Sequence, residues 1–180
     1  MRVCVTGGAG FVGSHLVDRL LTDGHEVVVI DDRSTGSVEN LADAFDHIEF
    51  VEADIRDVAR LDDAVAGCEV VYHQAALAAV ARSIERPLDV HDVNVSGTLK
   101  VLLAARAAEA RRVVIASSSS VYGDTETLPK TVSMPTSPRS PYAAGKAACE
   151  SYCEAFYASF GLETVALRYF NVYGPRQSPR

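Results

Sequence analysis

Short apolar runs alternate along the chain with longer amphipathic stretches. The short runs are rich in β-branched residues and predict buried strands at Arg2–Thr6, Glu26–Ile30, Ile48–Glu52, Glu69–Tyr72, Arg112–Ala116 and Glu163–Leu167. The longer stretches have the helical period and predict helices at Phe11–Asp23, Val58–Ala66, Pro87–Ala110 and Tyr142–Phe160. Strand–helix alternation throughout the chain predicts an α/β fold, a doubly wound parallel sheet with helices on both faces.

Composition and charge narrow the possible partners. A chain of 180 residues with 48% hydrophobic and 23% charged residues fits one globular domain, residues 1–180. Its net charge of −7 disfavours nucleic acid and anionic membrane surfaces, which need clustered Lys and Arg. No apolar run approaches the roughly 20 residues of a membrane span, and the start shows no export-signal pattern. The expected location is therefore the cytoplasm.

The four cysteines do not predict a metal site. Cys4 and Cys68 lie in or beside strand segments and are typical of small buried apolar residues. Cys149 and Cys153 share one helix face, but a zinc site there would need further ligands. We expect no bound metal.

A glycine-rich turn follows the first predicted strand and opens the first helix. It satisfies two spacings at once, Gly8-x-Gly10-x-x-Gly13 and Gly7-x-x-Gly10-x-x-Gly13. In such turns one glycine makes the tight bend, one lets a pyrophosphate approach the backbone, and one lets the helix pack on the strand. The free N–H groups of the helix start then face the phosphates. The pattern predicts a Rossmann-type dinucleotide site.

An acidic pair at the end of the second strand supports this interpretation. Asp31 lies 18 residues after Gly13, near the spacing expected for a carboxylate that binds the adenosine ribose, and Asp32 follows it. An acid at this position repels a 2′-phosphate, which favours NAD over NADP. Arg33 is a counter-argument, because an arginine just past the strand can serve a 2′-phosphate.

Tyr142 and Lys146 form a candidate acid/base pair. Residues four apart on a helix face the same way. Because free tyrosine has a pKa near ~10, it needs a nearby cation to act as a base at neutral pH. We expect Lys146, helped by the positive nicotinamide of oxidised NAD, to lower the pKa of Tyr142. The serine run 117–120 ends the fifth strand, where open α/β sheets bind ligands, and can supply a hydroxyl to the phenol.

With these residues assembled, the chain resembles the extended short-chain dehydrogenase/reductase family of NAD-dependent sugar-nucleotide epimerases and dehydratases. The resemblance covers essentially the whole chain and rests on residues 1–15, 51–57, 71–76, 94–98, 116–124, 140–146 and 167–175. Within the family, the pattern is most similar to the 4-epimerases of the UDP-glucose/UDP-galactose type.

The resemblance implies roles for residues at matching positions. The cofactor would be bound by Gly7, Gly10, Phe11, Val12, Gly13, Asp31, Asp32, Asp54, Ile55, Gln74, Ala75, Ala76, Asn94, Tyr142, Lys146 and Phe170. The catalytic hydroxyl lies four residues before the tyrosine of the Val-Tyr-Gly segment, which selects Ser118 beside Tyr142 and Lys146. The sugar nucleotide would meet Ser118, Ser119, Tyr142 and Asn171.

The implied reaction is inversion at sugar C4 by transient oxidation of a UDP-sugar. Dehydratases of the family have Asp and Glu where this chain has Ser119 and Ser120, and UDP-glucuronate decarboxylases often have Glu at the second position. Two serines therefore favour an epimerase, with a decarboxylase or dehydratase as the alternative.

Family members run well past 300 residues, and their C-terminal part supplies most of the nucleotide-sugar pocket. That substrate domain is absent from these 180 residues. A non-catalytic NAD-binding module is therefore a second hypothesis. Relatives pair two helices into a four-helix bundle, which implies a homodimer through Pro87–Ala110 and Tyr142–Phe160.

Overall fold

One parallel sheet organises the molecule. The computed structural model describes residues 1–178, and the sheet in that range has six strands in the order β3-β2-β1-β4-β5-β6, all parallel. The strands are β1 Arg2–Thr6, β2 Glu26–Asp31, β3 Ile48–Glu52, β4 Val70–His73, β5 Arg112–Ser118 and β6 Glu163–Tyr169. This order reverses direction between β1 and β4, the switch point at which doubly wound sheets bind ligands. The predicted fold class is confirmed.

Helices cover both faces of the sheet. They are α1 Phe11–Thr22, α2 Val58–Val65, α3 Val80–Glu85, α4 Pro87–His91, α5 Gly97–Ala107 and α6 Pro141–Phe160. The boundaries of α6 follow from its sequence. The Ser140 hydroxyl accepts a hydrogen bond from the Ala143 N–H, Pro141 occupies the first turn, and Gly161 ends the helix at φ +71°.

The helix predicted over Pro87–Ala110 is confirmed as one continuous helical run, but it ends at Ala107 and contains a π-helical turn that was not predicted. The segment is α4, a π-helical turn Asp92–Ser96, and then α5, which ends at Ala107. The turn widens where the Asn94 side chain bonds the backbone of Leu77, and where Gly97 leaves room for Ile55. Helix α3 was not predicted at all, since its six residues are too few to show a period.

Two apolar layers sandwich the sheet. One packs α2, α5 and α6 against the sheet face that carries Cys4 and Val28, and the other packs α1 against the face that carries Val3 and Val5. All four cysteines are buried and free, which confirms the burial predicted for Cys4 and Cys68. Within residues 1–178 no helix is long and apolar enough to cross a membrane, and no cluster of His, Cys, Asp or Glu is arranged to hold a metal.

Candidate dinucleotide and catalytic site

The glycine turn is a close-packed bend between β1 and α1. Gly7 makes the bend at φ +70°, a conformation that L side chains rarely adopt, and a Cβ there would lie 2.6 Å from the Ala75 nitrogen. A Cβ on Gly13 would lie 2.8 Å from the Gly8 Cα and closer still to the Gly7 carbonyl oxygen. The turn therefore excludes side chains at both positions and keeps the backbone open to a ligand.

The first turn of α1 offers hydrogen-bond donors to an anion. Gly10 caps the helix without a side-chain hydrogen bond, and no acidic residue lies in the first turn. Phe11 and Val12, both half-buried, are the first two helical residues. The unpaired N–H groups and the positive helix end fit a pyrophosphate.

Asp31 is buried at the end of β2 and holds the turn. One carboxylate oxygen accepts a hydrogen bond from the Ala9 N–H at 2.9 Å, and the other accepts one from the Arg33 N–H at 2.8 Å. Each oxygen keeps a free lone pair for a ribose hydroxyl. Burial raises the pKa of Asp31, while the two backbone N–H groups oppose the rise. Asp32 is exposed and instead accepts hydrogen bonds from Ser34.

A groove with about 400 Å³ of empty space, open to solvent, runs along the carboxyl edge of the sheet beside Gly7 and Asp31. Of the predicted cofactor residues, it is lined by Gly7, Asp31, Asp32, Asp54, Ile55, Ala75 and Ala76. Sequence reasoning missed several other lining residues, namely Ile30, Ser34, Thr35, Ala53, Leu77 and Val93. Two signals were available in the sequence. Ser34 and Thr35 follow the acidic pair Asp31-Asp32 after a single residue, and Leu77 comes directly after Gln74–Ala76.

Arg33, the residue that counted for NADP, is paired. Its guanidinium lies 3.1 Å from the Glu52 carboxylate on β3, with both side chains exposed. The Asp54 carboxylate is held by the Arg56 guanidinium, which keeps the pKa of Asp54 below its usual range. Asp54 therefore borders the groove as a carboxylate already neutralised by its neighbour.

Gln74 and Asn94 do not line the groove but lie next to it. Buried Asn94 exchanges two hydrogen bonds with the backbone of Leu77, at 2.8 and 3.1 Å. Gln74 hydrogen-bonds Tyr169 at the end of β6, and this bond favours the phenolate of that tyrosine. Asn94 thus holds the backbone of the lining residue Leu77, and its expected part in binding the cofactor stays a prediction.

Ser118 and Tyr142 meet at the carboxyl end of β5. The Ser118 hydroxyl accepts hydrogen bonds from the N–H of Ser120 at 3.1 Å and from its hydroxyl at 2.8 Å. The neighbouring Ser118 hydroxyl also favours the phenolate form of Tyr142, which opposes the effect of burial on the pKa of that phenol. The Ser120 hydroxyl therefore donates to Ser118, and the Ser118 proton is left to face the phenol oxygen of Tyr142. Ser119 begins a short 3₁₀ turn that follows the strand, and it is half-buried.

Lys146 lies one helical turn beyond Tyr142 and is buried. Its ammonium donates to the Ala116 carbonyl at 2.7 Å and lies 5.9 Å from the centre of the Tyr142 ring. Burial lowers the pKa of Lys146. The pKa of Tyr142 is raised, because burial of the phenol outweighs the effect of the Ser118 hydroxyl. The Lys146 ammonium does not oppose this rise while it donates to a backbone carbonyl, and the lowering expected from Lys146 together with bound oxidised NAD stays a prediction.

Phe170 and Asn171 follow β6 and are exposed. Phe170 stacks on Tyr122 with the ring centres 6.5 Å apart. The chain then crosses the start of α1, where the Pro175 carbonyl lies 3.0 Å from the His15 ring nitrogen. The structure thus places Phe170 beside the serine turn and leaves Asn171 facing outward.

The sequence matches the NAD dependent epimerase/dehydratase family over residues 3–180. The chain belongs to this family. A UDP-glucose 4-epimerase from Mycolicibacterium smegmatis is 49% identical over 184 residues, covering 99% of this chain and 58% of the relative.

Solved structures show the same likeness. The UDP-glucose 4-epimerase of Thermus thermophilus, in complex with NAD, is 42% identical with a TM-score of 0.93, over 100% of this chain and 58% of that one. A dTDP-glucose 4,6-dehydratase from Streptomyces venezuelae, solved with NAD bound, is 39% identical with a TM-score of 0.95, over 99% and 58%. NAD is the cofactor of this epimerase/dehydratase family, so the predicted cofactor is confirmed at family level.

The chain spans about 58% of the length of these relatives. As predicted, it corresponds to their N-terminal half.

Proposed function

We propose that this chain is the NAD-binding domain, residues 1–180, of a cytoplasmic UDP-hexose 4-epimerase of the UDP-glucose/UDP-galactose type. The observation that carries the proposal is that Tyr142 and Lys146 of α6 lie beside Ser118 at the carboxyl end of β5, where the Lys146 ammonium donates to the Ala116 carbonyl of the same strand. On the same edge lies the groove fitted to a dinucleotide by its glycine turn and by Asp31. An acid/base pair therefore lies on the edge that binds the redox cofactor.

The residues have separate tasks in this reaction. NAD, when bound, supplies the redox chemistry at sugar C4. Tyr142 takes the proton from the 4-hydroxyl and returns it, with the Ser118 hydroxyl beside the same phenol. Lys146 contributes a positive charge one helical turn beyond Tyr142. The family resemblance implies that it would also bind the nicotinamide ribose. Asp31 orients the adenosine ribose, while the first turn of α1 holds the pyrophosphate.

Ser119 and Ser120 support an epimerase over a dehydratase. Removing water after oxidation requires a further acid and base, and serine hydroxyls do not ionise near neutral pH. Ser120 has a different task here, since its hydroxyl donates to Ser118. A dehydratase or decarboxylase remains the alternative reaction, because a dehydratase is among the close structural neighbours.

The direct test is conversion of UDP-galactose to UDP-glucose, with NAD, by the whole protein that carries this domain. Epimerisation without release of a 4-keto-6-deoxy product or of carbon dioxide supports the proposal. Loss of water or of carbon dioxide assigns the alternative reactions. Tight NAD binding by that protein without any turnover assigns the second candidate, a non-catalytic NAD-binding module.

Replacing Asp31 with alanine is expected to weaken NAD binding by about 10- to 100-fold and to reduce the preference for NAD over NADP. The carboxylate supplies the ribose contact and the charge that repels a 2′-phosphate. Asp43→Ala is the matched control, because this carboxylate is exposed and does not line the groove. Titration calorimetry with both dinucleotides measures the effect. An unchanged NAD:NADP ratio in Asp31→Ala would assign the ribose contact to another residue.

We also propose that two copies pair through α4, α5 and α6. These helices expose apolar side chains at Leu88, Leu103, Tyr157 and Phe160, with Leu88 81% exposed. Light scattering is expected to give twice the 19.3 kDa chain mass, and Leu88→Asp is expected to reduce it. A monomer at working concentration contradicts this pairing.

A further inference from the structure

A chain of buried polar side chains runs behind the dinucleotide groove. It consists of Thr6, His73, Asn94 and Thr98, which are exposed by 0%, 4%, 1% and 2%. None of the reaction steps uses His73, the titratable member. A buried imidazole whose two nitrogens are both hydrogen-bonded has a defined orientation, here set by Thr6 on one side and Thr98 on the other.

Toward the glycine turn, the chain reaches the backbone of the groove. The Thr6 hydroxyl oxygen lies 2.7 Å from His73 Nδ1 and accepts the Ala75 N–H at 3.2 Å. Ala75 is a lining residue of the groove. The position of this peptide is therefore tied to the imidazole through one hydroxyl group.

Away from the turn, the chain reaches the π-helical segment. His73 Nε2 lies 2.9 Å from the Thr98 hydroxyl oxygen, which donates to the Asn94 carbonyl at 2.5 Å. The Cys149 thiol of α6 donates to the same carbonyl at 3.1 Å. The Asn94 side chain then holds Leu77, a second lining residue.

These contacts leave one consistent order of protons. A carbonyl oxygen can only accept, so the Thr98 hydroxyl donates its proton to the Asn94 carbonyl. The Thr98 oxygen must then accept a hydrogen bond from His73 Nε2–H. Nδ1 is then an acceptor, and Thr6 donates to it while receiving the Ala75 N–H. The opposite tautomer would leave two oxygen atoms 2.5 Å apart with no proton between them.

We propose that His73 is a positioning residue of the NAD site, carrying its proton on Nε2, and that it fixes the backbone of Ala75 through Thr6 and that of Leu77 through Thr98 and Asn94. This inference rests on the proposed NAD-binding function and adds a residue to it. His73 does not touch the cofactor; it sets the shape of the groove wall.

The charged and titratable neighbours agree with a neutral ring. Burial and, to a lesser extent, the Lys146 ammonium of α6 together lower the pKa of His73 to about 3. Cys149, on the same helix, is neutral because burial raises the pKa of its thiol. A protonated ring would donate from both nitrogens and force Thr6 to release its proton elsewhere.

The first test reads the ring directly, without NAD. In a long-range ¹H–¹⁵N spectrum of the chain labelled at histidine, His73 is expected to show a protonated Nε2, an unprotonated Nδ1 and no titration between about pH 5 and 8. A proton on Nδ1, or titration of His73 in that range, would overturn the assignment.

The second test separates positioning from stability. His73→Leu is expected to weaken NAD binding about 10-fold, while His73→Gln, which keeps one donor and one acceptor, stays within about threefold of the wild type. Val65→Ala, a buried truncation on α2, is expected to lower the melting temperature without changing NAD affinity. Equal NAD affinities of the Leu, Gln and wild-type forms overturn the proposal.

A milder pair covers the case in which His73→Leu does not fold. Thr98→Val removes the acceptor of Nε2–H and is expected to weaken NAD binding severalfold, whereas Thr98→Ser retains it. Equal affinities in this pair also overturn the proposal. A wild-type chain that does not bind NAD contradicts the proposed function itself, whereas a titrating His73 in a chain that binds NAD contradicts this inference alone.

Discussion

Tyr142→Phe is expected to lower the conversion of UDP-galactose to UDP-glucose by about 100- to 10,000-fold, the usual contribution of a positioned acid/base. The substitution removes one oxygen atom, the phenol oxygen beside Ser118, and leaves the buried ring in place. NAD affinity is expected to stay within about twofold, because the glycine turn and Asp31 are untouched. The measurement is turnover beside NAD titration on the same preparation.

Tyr157→Phe is the matched control for this substitution. Tyr157 lies on the same helix, α6, and is 62% exposed. It should lose neither turnover nor NAD affinity. Undiminished turnover in Tyr142→Phe would dismiss Tyr142 as the acid/base, and loss of NAD binding would show that the variant disturbs the fold.

Gly13→Ala is expected to abolish measurable NAD binding and to lower the free energy of unfolding by about 3 kcal/mol. The added methyl group would lie 2.8 Å from the Gly8 Cα and against the Gly7 carbonyl oxygen. Backbone atoms cannot rotate away as a side chain can, so β1 and α1 must separate. That separation opens the turn that the pyrophosphate needs. Chemical denaturation and NAD titration measure the two effects.

Gly24→Ala separates backbone strain from collision. Gly24 has φ +77° but no atom lies within 4 Å of its added Cβ, so only the strain of about 1 to 2 kcal/mol applies. NAD affinity should not change in this variant. Wild-type NAD affinity in Gly13→Ala would mean that the glycine turn does not shape the cofactor site.

The sequence predicted the parts of the fold that repeat a period or end in special residues. The β-branched strands and long helix α6, with Ser140, Pro141 and Gly161 at its ends, have such signals. The π-helical turn Asp92–Ser96 between α4 and α5 has no local signal of that kind. It depends on Asn94 bonding Leu77 and on Gly97 meeting Ile55, contacts between residues far apart in the chain.

The features of the site likewise divide into those that the sequence could predict and those that depend on contacts in the folded chain. Gly7, Asp31 and Tyr142 could be predicted because their chemistry demands fixed spacings. The pKa of Tyr142 could not be predicted, since its direction depends on how deeply the phenol is buried and on where the Lys146 ammonium points. The pairing of Arg33 with Glu52 likewise depends on strand order, which brings β3 beside β2.

The measurement that tests the account most directly is native mass spectrometry of the purified chain after incubation with NAD and, separately, with NADP. The account predicts a species one NAD heavier per 19.3 kDa chain, released on denaturation, with far less retention of NADP. A folded chain that retains neither dinucleotide would contradict the central claim that the groove beside Asp31 is an NAD site.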